Sequence, residues 1–233
     1  MAITSALSDS LAGSSTAWLI RAVERIPQRT GSIGASSTLR LVDLQQVARG
    51  LWRWSLRHPE WEPPEQEDSP ADWPAEVGCV AYETPNTLVL IDPLVVDGDH
   101  AALDARAEGK ERVVILVTLK WHERSRAELT RRYDATADLP EGVEAFEIPG
   151  AGETIFWIPE HGALVPGDRI LGDRPPGLRM CPESWLRHLG GYTQEDLRAG
   201  LQPLLDLPVE MVLVSHGEPV LRDGHAALER ALV

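Results

Sequence analysis

Cysteine is scarce in this chain, and its scarcity excludes two kinds of small-protein architecture. The 233 residues contain two cysteines, Cys79 and Cys181. Two are too few for a disulfide scaffold or for a zinc knuckle. The first residues also lack a basic region followed by a continuous apolar run, which a secretory signal needs. We therefore expect a reduced, cytoplasmic protein.

Positive charge is also in short supply. Lys and Arg number 22 against 36 Asp and Glu, which gives a formal net charge of −14. Because phosphate backbones and anionic membrane surfaces need a basic face, we expect neither nucleic acid nor membrane as a partner. No run approaches the roughly 20 apolar residues of a transmembrane helix. A small-molecule ligand is the partner compatible with this composition, and no pattern indicates an oligomeric state.

After a polar start, the chain alternates between short strand patterns and helix patterns. Residues 1–39 are rich in Ser, Ala and Gly and show little periodic hydrophobicity, so we expect a poorly ordered extension. Residues 40–233 are long enough for one domain with a full-sized core. The strand patterns lie at 50–56, 77–83, 86–92, 112–118, 143–149, 153–159, 163–168 and 209–215. With helix patterns between and after them, they predict a layered α/β or α+β sandwich.

Two segments allow a sharper prediction of their place in the fold. The continuous apolar run "RVVILVT" (112–118) is typical of a central strand that is buried on both faces. The segment "TQEDLRAGLQPLLDL" (193–207) begins with Thr193, and Asp196 follows three positions later. This spacing predicts a helix that begins with a capping box.

Polar residues stand at four predicted strand ends, where a rigid sheet holds loop residues at fixed separations. Asp92 follows "LVLI", and the loop "LKWHER" (119–124) follows "VVILVT". Asp168 follows "ALVPG", and His216 follows "MVLVS". We expect these side chains to converge on a functional site.

The order of these motifs resembles that of the metallo-β-lactamase fold. In that family a strand ends in Ile-Asp, and a second ends in Thr before a His-x-His-x-Asp-His metal loop. A Pro-Gly-His segment, a hairpin ending in Gly-Asp and a late Gly-His-Gly follow. The aligned segments are "LVLIDPL" (88–94), "VTLKWHER" (117–124), "IPGAGE" (148–153), "IFWIPEHGALVPGD" (155–168) and "VSHGEP" (214–219). The resemblance covers about residues 47–220 and implies a four-layer αββα sandwich and a hydrolase-like protein.

Most of the family's metal ligands are replaced in this alignment, which is anchored on Thr118. The aligned residues are Leu119 and Trp121 for the first two histidines, Glu123 for the aspartate, Arg124 for the next histidine and Ala151 for the Pro-Gly-His histidine. His122 falls on a spacer position, and a shift of the register by one residue does not restore the motif.

Three residues remain as metal ligands under this resemblance. They are Asp168, which matches the family's bridging carboxylate, His216, and Glu123 as a substitute carboxylate. Catalytic zinc needs about three protein ligands and an open position. A single weak or atypical zinc site is therefore compatible with the sequence, and an intact dinuclear site is not expected. Such a site would hydrolyse ester or thioester bonds, with His122 as a proton shuttle or fourth ligand.

Arg124 supports an alternative without metal. Its guanidinium could pair with Asp168 and neutralise that carboxylate, or could leave an anion-binding pocket. We favour the structural Arg124–Asp168 pair. The protein would then be a non-catalytic binding or scaffold protein that keeps the fold. Asp92 is expected to bond the backbone or to support a ligand, since Asp commonly does both.

Eight tryptophans are many for a chain of this length. For Trp52, Trp54 and Trp121 we expect core packing, with an apolar cleft as the alternative. The chain has no Gly-x-Ser-x-Gly elbow, so the sequence gives no support for a serine hydrolase.

Overall fold

The computed structural model describes residues 42–66, 69, 71–174 and 177–233. The predicted extension, residues 1–39, lies outside these ranges, so its order stays a prediction. Within the described ranges, no helix is long and apolar enough to cross a membrane.

The described residues form short strands joined by helices and turns. The strands are β1 (Gln45–Ala48), β2 (Leu51–Arg57), β3 (Glu76–Glu83), β4 (Thr87–Ile91), β5 (Arg112–Leu116), β6 (Glu144–Ile148), β7 (Glu153–Ile158), β8 (Ala163–Val165), β9 (Ile170–Asp173), β10 (Gly177–Met180) and β11 (Met211–Val212). The α-helices are α1 (Ala101–Ala107), α2 (Arg126–Tyr133), α3 (Gln194–Leu201) and α4 (Gly224–Ala231). Short 3-10 helices cover Lys120–His122, Pro159–His161, Glu183–Leu189 and Gln202–Asp206.

Two main sheets carry the fold. The first has the order β1-β2-β3-β4-β5, and its strands are antiparallel except for the parallel pair β4–β5. The second has the order β11-β8-β7-β6, and it is antiparallel except for the parallel pair β11–β8. Strands β9 and β10 form a separate antiparallel ribbon.

Alternating side chains on β4 show how the first sheet is covered. Leu88 and Leu90 pack in one cluster with Leu103 of α1 and Leu129 of α2. Their neighbours on β4 face the other way, because successive side chains of a strand point to opposite faces. Val89 belongs to the cluster that lies between the two sheets.

The same alternation on β7 shows how the second sheet is covered. Phe156 and Ile158 join the cluster between the sheets. Ile155 packs on the other face, in a cluster with Leu197 of α3 and Leu228 of α4. The layers are therefore helices, sheet, sheet and helices, and the predicted αββα sandwich is confirmed.

The run 112–118 shows where a burial argument is insufficient. Its side chains are buried on both faces, Val113 with the helices and Val114 with the second sheet. However, β5 stands at the end of the sheet order and not at its centre. Helices and a second sheet bury an edge strand as fully as a central one, so the predicted central position is wrong.

The predicted helix 193–207 begins and ends for identifiable reasons. Thr193 accepts a hydrogen bond from the backbone N–H of Asp196, and the Asp196 carboxylate accepts one from the Thr193 backbone. The predicted capping box is therefore confirmed. The α-helix ends at Leu201, and the chain continues as a 3-10 helix because Pro203 cannot donate the next helical hydrogen bond.

Candidate metal centre

Three side chains converge at one edge of the sandwich. They are His122, Asp168 and His216, whose ligand atoms all lie within 4.8 Å of one another. Nε2 of His122 lies 3.1 Å from Oδ1 of Asp168, and Nε2 of His216 lies 3.2 Å from the same oxygen. Both histidines are buried, with 4% of each residue exposed.

His122 is held by Asp92, the residue that follows β4. The Asp92 carboxylate accepts hydrogen bonds from the backbone N–H and the hydroxyl of Thr118. Its Oδ2 also lies 2.8 Å from Nδ1 of His122. An ionised carboxylate only accepts hydrogen bonds, so Nδ1 carries a hydrogen and Nε2 is directed to Asp168.

The turn that carries Asp168 is held by two buried polar side chains, Glu153 and Arg169. The Glu153 carboxylate accepts hydrogen bonds from the backbone N–H groups of Gly167, Asp168 and Arg169, at 3.0, 2.7 and 3.0 Å. The Arg169 guanidinium donates two hydrogen bonds to the carbonyl of Ala151. Sequence reasoning missed Glu153 and Arg169. One sequence feature could have indicated them. Glu153 and Arg169 are charged residues that stand just before and just after the hairpin aligned with the family (155–168).

His216 is held by the backbone of β9. The N–H of Gly172 donates to the carbonyl of His216 at 2.8 Å. Gly217 has φ +85, and a Cβ there would lie 2.7 Å from the Gly172 carbonyl oxygen. A Cβ on Gly172 would lie 2.4 Å from the carbonyl oxygen of Glu218. Two glycines therefore allow the strand after Asp168 to pack directly against the loop that carries His216.

The electrostatics of the cluster follow from burial and from its alternating charges. Burial would lower the pKa of His122, but the carboxylates of Asp168 and Asp92 raise it to about 9. Burial would raise the pKa of Asp168, yet His122 and His216 hold it well below its usual range. Burial lowers the pKa of His216. Burial and the nearby Asp168 charge raise the pKa of Glu153 to about 7.

Two of the donor separations match those around a metal ion. Two donors bound at about 2.0–2.1 Å to one tetrahedral zinc lie roughly 3.3–3.4 Å apart, close to the 3.1 and 3.2 Å separations found here. Oδ1 of Asp168 is buried and makes no aligned hydrogen bond with the described residues. Asp92 behind His122 also completes the carboxylate–histidine arrangement that commonly orients a metal ligand.

Glu123, which the alignment proposed as a ligand, is not in this cluster. Its side chain is 65% exposed and pairs with Arg126 at 3.2 Å. The 3-10 turn of Lys120–His122 directs His122 into the protein, and the next residue faces solvent. The expectation that Glu123 binds metal is therefore corrected. The preceding residue, His122, takes its place beside Asp168 and His216.

Arg124 does not pair with Asp168. Nη1 donates to the carbonyls of Gly78 and Asp92, both at 2.8 Å, and Nη2 donates to the Ser215 hydroxyl at 2.7 Å. In the described chain, the ion pairs of Asp168 are those with His122 and His216. The predicted Arg124–Asp168 pair is wrong because backbone and hydroxyl oxygens of three other segments take up the guanidinium.

The other positions aligned with family histidines offer no ligand. Leu119 and Ala151 are buried and apolar. Trp121 is 61% exposed, so the expected core position is wrong for this residue. Trp54, in contrast, is 1% exposed and lies in the core as expected, and Trp52 is partly buried against the same cluster.

The cluster forms the floor of a pocket of about 440 Å³. Histidines, tryptophans and arginines dominate its lining. Its cationic and aromatic walls come from the loop before β3, the turn after β5, the segment after Asp168 and the 3-10 helix Glu183–Leu189. A pocket of this size with a few convergent polar groups is typical of a small-molecule site.

Comparison with known proteins shows a shared fold at low sequence identity. No family model and no curated protein sequence matches the chain. Among solved structures, an NDM_FIM-1-like metallo-β-lactamase from Erythrobacter litoralis in its mono-zinc form matches with a TM-score of 0.55 and 16% identity, covering 83% of this chain and 95% of that one. VMB-1 matches with a TM-score of 0.54 and 12% identity over 83% and 95% of the two chains. DIM-1 metallo-β-lactamase matches with 0.51 and 13% over 82% and 95%. This chain has the metallo-β-lactamase fold.

Proposed function

We propose that this protein is a hydrolase of ester or thioester bonds that uses a single metal ion. His122, Asp168 and His216 hold the ion, and the aromatic pocket above them receives the substrate. Zinc suits two imidazole nitrogens and one carboxylate oxygen with an open fourth position.

One observation supports this proposal above the others. Two imidazole nitrogens stand at 3.1 and 3.2 Å from one buried carboxylate oxygen, and that oxygen makes no aligned hydrogen bond. The three donor atoms come from three separate segments of the chain and lie within 4.8 Å of one another. Three donors that converge in this way are what one metal ion with an open fourth position needs.

Among the residues that the structure describes, a second metal ion lacks a set of ligands. The positions aligned with the family's other histidines carry the apolar Leu119 and Ala151 and the exposed Trp121. Arg124 is fixed to three other segments by its guanidinium, and a cation there disfavours a neighbouring dication. We therefore propose a mononuclear site in place of the family's dinuclear one.

Each protein group has a definite task in the proposed site. Bound zinc supplies Lewis acidity and a water that is easier to deprotonate. Asp92 fixes the ring of His122 through Nδ1. Glu153 holds three N–H groups of the turn that presents Asp168. Trp73 and Trp185 stand edge-on to His216 and shield its ring from bulk water.

Zinc content measured by elemental analysis tests the proposal. The native protein, supplied with zinc and then dialysed, should retain one zinc per chain and hydrolyse p-nitrophenyl acetate. Asp168→Ala and His216→Ala should lose both properties. Glu123→Gln, which removes the exposed carboxylate of the same loop, is the matched control and should keep both.

Cobalt substitution protects this test against variants that fail to fold. Native protein loaded with Co²⁺ should show the visible absorption of a low-coordinate cobalt site. Absence of that absorption in the native chain, or loss of zinc from Glu123→Gln with retention in Asp168→Ala, would refute the proposed ligand set.

A metal-free binding protein is the second candidate, and one observation favours it. Asp92, His122, Asp168 and His216 form a continuous chain of contacts at 2.8, 3.1 and 3.2 Å. Alternating carboxylates and imidazoles can balance their charge without an ion. A native protein that binds no zinc, and whose melting temperature is unchanged by zinc or chelator, would establish this candidate and exclude the hydrolase.

A further inference from the structure

The walls of the pocket are unusually rich in aromatic rings. His58 and Trp73 come from the segment before β3, Trp121 from the turn after β5, and Trp185 and His188 from the 3-10 helix Glu183–Leu189. Separate segments of the chain thus bring five rings to one cavity. Large aromatic side chains provide flat contact surfaces, and aromatic pairs are stabilised beyond their buried area.

The inner walls are held in place by ring contacts with the floor. The Trp73 ring stands edge-on to His58 at 5.3 Å and to His216 at 5.9 Å. The Trp185 ring stands edge-on to His216 at 5.8 Å. The Trp73 carbonyl also accepts a hydrogen bond from the indole of Trp61 at 2.7 Å. The cavity between the rings is therefore formed before a ligand enters.

Trp121 at the rim supplies an independent observation. It is 61% exposed. Among the described residues, the other large apolar side chains that are exposed are aliphatic. Its ring stands edge-on to His188 at 6.4 Å. Exposure of an indole costs about 25 cal/mol for each Å² of apolar surface, and a flat ligand entering the pocket would cover part of this surface.

The charges beside the aromatic rings disfavour an organic cation there, which aromatic cages otherwise favour. Arg124 and Arg169 line the pocket, and Asp168 already faces two histidines. Glu60, the other carboxylate in the lining, is exposed. Burial lowers the pKa of His58, and the charge of Arg124 lowers it further.

We infer that the pocket selects aromatic acyl compounds, with the ring between Trp73, Trp121 and Trp185 and the carbonyl over Asp168 and His216. The inference rests on the proposed hydrolase function, since it assigns the substrate class of that site. Water adds its oxygen to the carbonyl carbon, and the carbonyl carbon's bond to the leaving oxygen or sulfur breaks. The leaving group takes one proton of the water, and the aromatic acid is released.

A binding experiment tests the ring preference separately from catalysis. Isothermal titration calorimetry of the full chain, with and without zinc, compares 2-naphthoate with octanoate, an aliphatic carboxylate of equal charge. The aromatic probe should bind at least tenfold more tightly. Trp121→Ala should weaken 2-naphthoate by about two- to tenfold and leave octanoate nearly unchanged. Leu221→Ala, an exposed apolar residue outside the pocket lining, is the matched control.

The outcomes separate this inference from the function on which it rests. Equal affinity for the two probes, or no effect of Trp121→Ala, would overturn the aromatic preference even if the protein binds zinc and cleaves p-nitrophenyl acetate. Tight, Trp121-dependent binding of 2-naphthoate by a protein that binds no zinc would support the aromatic site and overturn hydrolysis. Tight binding together with faster cleavage of phenyl 2-naphthoate than of phenyl octanoate is the expected result.

Discussion

Two adjacent residues, His122 and Glu123, show how a single position decides the chemistry of this site. The family alignment directed attention to the carboxylate, because its position matches the aspartate of the metal loop. In the fold, His122 is buried beside Asp168 and Glu123 faces solvent with Arg126. Motif spacing could not identify this exchange, since the loop forms a 3-10 turn and its inward face depends on turn geometry.

Asp92 is expected to control the metal affinity of His122. The backbone of Asp92 has φ 49, a conformation that Asn tolerates, so Asp92→Asn removes the charge without a backbone change. Because outer partners of metal ligands fix the ring and raise its basicity, zinc affinity should fall by about 10–100-fold. Competition with a chromophoric chelator measures the change. The exposed Asp138→Asn should bind zinc as the native protein does, and equal affinity in the two variants would contradict the role of Asp92.

Arg124 is expected to stabilise the fold and not to bind a ligand. Its guanidinium bridges Gly78, Asp92 and Ser215, which a single ammonium group cannot do. Arg124→Lys should lower the free energy of unfolding by about 2 kcal/mol, since charged hydrogen bonds to buried oxygens are lost. Urea denaturation measures this loss against the exposed Arg131→Lys. A midpoint equal to that of the control would show that the bridge is unimportant.

Strand β9 connects the turn that carries Asp168 with the loop that carries His216. It begins two residues after Asp168, and its Gly172 hydrogen-bonds the carbonyl of His216. The sequence did not predict this strand, because "ILGD" is too short for a period to show. The strands that carry Asp92 and Asp168 were predictable, since their apolar runs are longer and their turn residues are clear.

Gly172→Ala is expected to disturb the site through β9. The added Cβ would lie 2.4 Å from the Glu218 carbonyl oxygen and 2.6 Å from the Glu218 nitrogen, so the loop after His216 must move. Overpacking of this kind costs about 1–3 kcal/mol, and zinc affinity should fall with it. Thermal unfolding and zinc titration measure the two effects.

Gly109→Ala is the control for Gly172→Ala, because it changes backbone strain without creating a steric clash. Gly109 has φ +77, and no atom lies within 4 Å of the added Cβ. This variant should lose about 1 kcal/mol from its left-handed backbone and keep the zinc affinity of the native protein. If Gly109→Ala and Gly172→Ala lost zinc affinity equally, the close contact between β9 and the His216 loop would not position the site.

Over the whole molecule, the fold was more predictable than the site. Apolar periodicity and motif order were sufficient for the αββα layers, because the core strands β3, β4, β5 and β7 contain continuous runs of buried residues. The sequence also indicated Asp168 and His216 as candidates, because both stand shortly after apolar runs, and the structure brings the two side chains together. It could not place Glu153 or Arg169, since their roles depend on contacts between residues distant in sequence.

Zinc is expected to stabilise the entire domain if the three ligands bind it. Zinc at about 100 times its dissociation constant adds about 2.7 kcal/mol to the free energy of unfolding. For a domain of this size the melting temperature should rise by roughly 5–10 °C. Magnesium, which prefers oxygen ligands, is the control and should leave it unchanged. An equal shift with both ions would indicate a nonspecific effect on the acidic surface.

The location of the bound ion itself is the most direct test of a mononuclear site. Crystals grown with zinc and measured at the zinc absorption edge should show one anomalous peak at the pocket floor, within about 2.0–2.2 Å of Nε2 of His122, Oδ1 of Asp168 and Nε2 of His216. A peak bound by Glu123, a pair of peaks that share Asp168, or no peak at this position would contradict it.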